Sequence, residues 1–164
     1  MSSDNFNLHE TEFQRIRDIL SKMQSELRAQ LVLLINRSGQ PIVISGAADN
    51  IDCTALASLA AANLAATDGL ANIVGEREFS VLVHQGRRRS LFISDLLKRF
   101  SLVLVFDASA SSGLVRYKCK RTTLLLEDVI RDFQRRIERT EPVMSIPQFS
   151  DEEIEELLGR EVID

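Results

Sequence analysis

Apolar residues at Phe13, Ile16, Leu20, Met23 and Leu27 recur at alternating spacings of three and four, which predicts one helix from about Glu10 to Ala29. Thr11, or a residue just before it, stands where a cap would start that helix. The run Leu31 to Ile35, LVLLI, is too short for an independent helix and rich in branched side chains, so it predicts a buried strand. NRSGQP follows, with Gly39 and Pro41 marking a turn, and IVIS pairs back to make Leu31 to Ser45 a hairpin. Gly46 to Asn50 is polar and leads into a second helix, where Asp49, Asn50 or Asp52 could cap the free amides and Gly75 ends the run.

Beyond Gly75 the period shortens to two. Phe79, Val81 and Val83 alternate with Ser80, Leu82 and His84, and Leu91, Phe92 and Ile93 follow, so two strands are expected through the turn QGRRR. DLLKRFS is a short connection, and Leu102 to Phe106, LVLVF, is another buried strand. After ASASSG, the residues Val115, Cys119, Thr122, Leu126, Val129, Phe133 and Ile137 line one side of a long helix from about Ser112 to Thr140. Its basic last turns suit the negative end of the helix dipole.

This order predicts an α/β chain of the α+β kind: a five-stranded antiparallel sheet with the central helix on one face and the first and last helices on the other. The domain is expected over residues 1–141. EPVMSIPQF has no usable period, which makes 142–149 a linker. In 150–164, Ser150 and Glu153 form a capping box for a short acidic C-terminal helix whose apolar edge is Ile154, Leu157 and Leu158. At roughly 10 residues such a helix needs something to lie against.

The central helix, Ile51 to Gly75, carries most of the interest. Steps of about 100° per residue gather Leu56, Leu59, Leu70 and Ile73 on one side, which is expected to cover the sheet. The opposite side collects Thr54, Ser58, Ala61, Ala65 and Gly69, flanked by Ala57 and Ala62, and almost nothing there is charged or long. A solvated helix face carries Lys, Glu and Arg, whereas small residues let another backbone come close. That smooth side is therefore expected to be a contact surface.

Composition narrows the function by exclusion. A net charge of −4 argues against wholesale nucleic-acid binding, which needs an excess of cations. No apolar run reaches the roughly 20 residues that span a bilayer, and MSSDNFNLHE lacks the regions of a signal peptide, so the chain is expected to be cytoplasmic. Cys53 and Cys119 form no CxxC pair, and His84 has no second histidine nearby, so neither a disulfide framework nor a metal site is suggested. Arg87, Arg88 and Arg89 sit on a hairpin tip, which offers an arginine finger little rigid placement. There is no GxxxxGK[ST], no GxGxxG and no nucleophile elbow. The chain is expected to be no enzyme, to use no cofactor, and to act by binding.

The stretch NIDCTALASLAAANLAATDGLANIVGE from Asn50 to Glu76, SGQPI before it, and LVLVFDASASSGLVR from Leu102 to Arg116 closely resemble the MglB-type branch of the Roadblock, or dynein light chain, family. The resemblance covers nearly the whole chain, and the hairpin from Phe79 to Ile93 matches less well. It implies a homodimer in which the central helices pair and the sheets join edge to edge. It also implies a partner, a small Ras-like GTPase of the MglA type in its GTP-bound form, seated across the helix pair and turned toward its hydrolysing conformation while supplying its own catalytic side chains. Ala61, Ala65 and Gly69 align with the family's docking positions, within a GTPase-binding set of Thr54, Ala57, Ser58, Ala61, Ala62, Ala65 and Gly69. Ile154, Leu157 and Leu158 align with a second contact that favours nucleotide exchange. A role in cell polarity or motility, with recruitment to a cell pole, is part of the same implication. Asp68 and Asn72 depart from the group by making the end of the smooth side more polar. A dimeric scaffold or adaptor without effect on GTPase turnover is the alternative, and a small-ligand sensor with the central helix over a pocket is a third reading.

Overall fold

In the computed structural model, residues 10–140 are described. The linker at 142–149 and the C-terminal helix with Ile154, Leu157 and Leu158 lie outside the described residues. The elements run α1 (Glu10–Leu27), β1 (Leu31–Asn36), β2 (Pro41–Gly46), α2 (Cys53–Val74), β3 (Val81–Gln85), β4 (Arg89–Leu96), β5 (Phe100–Asp107) and α3 (Ser112–Thr140). One compact unit ends at Phe133; a second begins at Gln134, and its described part is the last turns of α3.

The five strands form one antiparallel sheet in the order β2-β1-β5-β4-β3. β1 and β5 sit at its centre and are covered on both faces, which is why LVLLI and LVLVF read as unbroken apolar runs without alternation. Successive side chains still point to opposite sides. Val32, Leu34, Leu102 and Leu104 pack with Ile16, Leu20 and Met23 of α1 and with Val115, Cys119, Leu126 and Val129 of α3. Leu31, Leu33, Ile35, Val103 and Val105 pack instead with Ala57, Ala60 and Leu64 of α2. One helix on one face and two on the other is the expected layering.

Two turns shape the rim. β4 runs on through Asp95 and Leu96, and the chain reverses on Leu97 and Lys98, both with left-handed φ (54° and 57°), so the expected connection DLLKRFS is mostly strand. At the β1–β2 turn Gly39 has φ 82°, and a Cβ there would lie 2.7 Å from Ser58 Cα and 3.2 Å from the Ala57 carbonyl oxygen. Only glycine fits, because that turn is pressed against the backbone of α2.

Candidate functional site

The solvent side of α2 is the feature that the rest of the protomer leaves unexplained. The helix begins where the Asp52 carboxylate accepts a hydrogen bond from the Ala55 N–H at 2.9 Å, and ends at Gly75, whose left-handed backbone (φ 79°) directs its N–H to the carbonyls of Ala71 and Asn72. Between these caps the buried residues are Ala57, Ala60, Leu64, Thr67 and Ala71. The Thr67 hydroxyl is satisfied within the helix, donating to the Asn63 carbonyl at 2.8 Å.

This overturns the expected orientation. Leu59, Leu70 and Ile73 do not cover the sheet but stand 64%, 57% and 82% exposed, and only Leu56 packs at the margin of the core. The smooth side is divided as well. Thr54, Ser58, Ala62, Ala65 and Gly69 are exposed, Ala61 is half-buried against the core, and Ala57 has no exposed surface at all. Ala57 therefore leaves the set of contact residues. The cause is close approach: with Gly39 against the backbone at Ala57 and Ser58, and Ala57, Ala60 and Ala71 buried on the sheet side, the helix lies close to the strands and Leu64 is the one leucine buried beneath it. The bulky side chains are turned outward beside the small ones.

The outcome is a helix with apolar residues on both its buried and its solvent side, the latter broken by few polar ones such as Asn63, Asp68 and Asn72. Exposed apolar patches of this kind mark interaction sites. Asp68 is its only charged residue, and that charge is already engaged. Arg37 Nη2 donates to Asp68 Oδ2 at 2.8 Å, and Lys98 Nζ stands 3.4 Å from Oδ1. Lys98 also reaches Glu78 at 3.0 Å, and Arg37 reaches Asp95 at 3.4 Å. The hydrogen bond from Arg37, with Lys98 nearby, holds the Asp68 carboxyl below its ordinary range. Of the two residues that depart from the family, Asp68 is thus turned toward the chain's own cations, whereas Asn72 is exposed.

A depressed carboxyl pKa contributes stability above the unfolded value, about 3.9 for aspartate, and loses it as pH falls through the lower folded value. The stability gap between the wild type and Asp68→Asn is therefore expected to be present at neutral pH and to close below about pH 4. For a partly exposed pair the gap is on the order of half a kcal/mol. Urea midpoints at several pH values check this; a gap that widens in acid would contradict it.

The edge strand β3 adds to the bare surface, with Phe79 just before it and Val81 and Val83 within it exposed. Arg87 and Arg88 are exposed on the β3–β4 turn. Cys119 is buried, and desolvation pushes its thiol up to about 12, so it stays unreactive. Among the described residues no cluster of His, Cys, Asp or Glu could hold a metal ion, and no helix is long and apolar enough to cross a membrane. A cavity of about 540 Å³ lies between α3 and strands β3 and β4, lined by Val81, Phe92, Leu97 and Leu124, rather than under α2.

A sheet of this order, crossed by one apolar helix, can be set beside known families. The Roadblock/LC7 domain model matches residues 15–106, more than half of the chain. The chain belongs to the Roadblock/LC7 family. Within that family, Myxococcus xanthus MglB is 36% identical, with a TM-score of 0.73 over 77% of this chain and 95% of its own. The gliding protein MglB from Thermus thermophilus is 33% identical, with a TM-score of 0.72 over 76% of this chain and 95% of its own. A further MglB structure, in a tetrameric arrangement, is 33% identical at TM-score 0.72, covering 76% of this chain and 94% of its own. No match is found among curated protein sequences.

Proposed function

We propose that this Roadblock/LC7 protein is a homodimeric, non-catalytic regulator of a small Ras-like GTPase of the MglA type, accelerating GTP hydrolysis by binding. The observation that carries the reading is the solvent side of α2, where Leu59, Leu70 and Ile73 stand exposed beside small residues and the one charge, Asp68, is paired, in a chain a third identical to MglB proteins. Leu59, Leu70 and Ile73, with the β3 edge, supply what a second protomer would cover; fully burying one such side chain is worth roughly 2 kcal/mol. Thr54, Ser58, Ala61, Ala62, Ala65 and Gly69 then form the smooth platform on which the GTPase switch regions settle.

A protein that donates no group can still accelerate a reaction if it binds the reactive arrangement of its partner better than the resting one. Three decades of rate need about 4 kcal/mol of such differential binding, within reach of an interface of about 1,600 Å². The acidic segment 150–164, through Ile154, Leu157 and Leu158, is assigned a second contact that favours nucleotide exchange. Cytoplasmic work at a cell pole, in polarity or motility, fits this reading.

The test is GTP turnover by an MglA-type GTPase with and without this protein, beside nucleotide release measured with the full chain and with a chain ending at residue 149. Stimulated hydrolysis by both chains, with faster release only by the full one, is expected. A complex that forms without any change in turnover would favour the scaffold reading instead.

A further inference from the structure

The cavity between α3 and strands β3 and β4 lies on the side of the sheet away from α2, since Phe92 on its wall belongs to the core layer of Val115 and Cys119. From α3 it is lined by Arg116, Lys120, Thr123, Leu124 and Glu127. Steps of about 100° per residue put these five within an arc of about 100°, and the helical rise spreads them over about 16 Å. Facing them are Phe92, 3% exposed, and Leu97, half-buried. At about 540 Å³ the cavity has the size of a small-molecule site, with an apolar centre and polar groups at its margins.

Its charges are unevenly matched. Three carboxylates and three cations line the wall, and every carboxylate has a partner. Glu78 and Asp95 face Lys98 at 3.0 and 3.8 Å, and Glu127 accepts a hydrogen bond from Arg131 at 3.4 Å. Arg116 and Lys120, one turn apart on the same side of α3, form no ion pair among the described residues. Like charges at that spacing cost helix stability, and an anion placed between them removes the cost.

We propose that the cavity binds a small amphipathic anion, a phosphate monoester carried on an apolar body. The phosphate, with a charge of about −2 at neutral pH, is held between Arg116 and Lys120. The planar guanidinium takes two of its oxygens and the ammonium supplies a point charge. The apolar body lies against Phe92, Leu97 and Leu124. Glu127 at the far end of the helix wall, with Glu78 and Asp95 across from it, repels a second anionic group and so fixes which way the ligand points. This site is separate from the solvent side of α2 and does not depend on the GTPase reading.

The chain contains no tryptophan, which makes fluorescence a local test. Leu124→Trp, at a position 54% exposed, sets a reporter in the cavity wall, and Leu59→Trp sets a reference on the bare side of α2. Decyl phosphate, kept below the concentration at which it forms micelles, is expected to shift the Leu124→Trp emission to the blue along a saturating curve and to leave the Leu59→Trp emission in place. Inorganic phosphate and decyltrimethylammonium are expected to do neither, because each lacks one half of the ligand. Adding Arg116→Glu and Lys120→Glu to the reporter chain is expected to weaken binding by roughly tenfold or more. Arg116→Gln with Lys120→Gln should weaken it too, without reversing the charge, and circular dichroism confirms that the fold survives in each. The site is overturned by an unmoved Leu124→Trp emission, by matching curves at the two reporters, by an equal response to decyltrimethylammonium, or by folded charge variants that bind like the parent.

Discussion

Replacing Ala65 or Gly69 with arginine is expected to abolish stimulation of GTP hydrolysis while leaving a folded dimer. Both residues are exposed, and a Cβ at Gly69 would meet nothing within 4 Å. Gly69 has no left-handed backbone to lose, and glycine is the weaker helix former by nearly 1 kcal/mol. The isolated protein should therefore tolerate the substitution or gain slightly. Against a partner settled on the smooth stripe the same side chain has no room. It either holds the GTPase away or desolvates a charge without a counterion, at a cost of several kcal/mol. That is comparable to the roughly 4 kcal/mol on which a thousandfold acceleration depends, so the rate should fall to that of the GTPase alone. Single-turnover hydrolysis, with circular dichroism and light scattering to confirm fold and assembly, makes the comparison. Undiminished stimulation would remove Ala65 and Gly69 from the docking surface.

How far the sequence carries depends on whether residues contrast with their neighbours. In α1 and α3 a regular apolar stripe runs among charged residues, so its period points inward even though Leu114, Tyr117, Leu124 and Leu125 of α3 stay exposed, and Ile16, Leu20, Val115 and Cys119 are buried as the stripes predict. In α2 the contrast is missing. Three sides of the helix are apolar, bulk marks one and smallness another, and neither marks the side that faces the sheet. That choice is made by Gly39 pressed against Ala57 and against Ser58, 19 residues away, a contact that no local period encodes. The Leu97–Lys98 reversal is hidden for a related reason. Tight two-residue hairpin turns favour Asn-Gly, and here the left-handed positions hold a leucine and a lysine, so the strand reads as stopping early. Asp68 reads as an intrusion on the smooth side until its partners appear, Arg37 and Lys98 lying 31 and 30 residues away. Antiparallel order and layering are legible in the chain; which side of its most uniform helix faces out is not.

The same contact makes Gly39→Ala the substitution with the largest expected effect on stability. Its first cost is the left-handed backbone at φ 82°, about 1 kcal/mol for alanine. Its second is the new methyl group, 2.7 Å from Ser58 Cα and 3.2 Å from the Ala57 carbonyl oxygen, where both neighbours are backbone and cannot rotate away. Either the turn or the helix must retreat, loosening Ala57 and Ala60 from Leu33, Ile35 and Val103. With an overpacking cost of about 2 kcal/mol the sum is about 3 kcal/mol, and a drop of roughly 10 °C in melting temperature follows for a chain of this size. Gly75→Ala provides the reference: it has nearly the same φ, 79°, but nothing within 4 Å, so it should show only the backbone cost. The difference between the two melting temperatures isolates the contact that orients α2. Because the proposed docking stripe lies on that helix, Gly39→Ala should also weaken the proposed stimulation of the GTPase at temperatures where the domain remains folded. Equal shifts for the two variants would show that the turn does not hold the helix against the sheet, and the outward stance of Leu59, Leu70 and Ile73 would then need another cause.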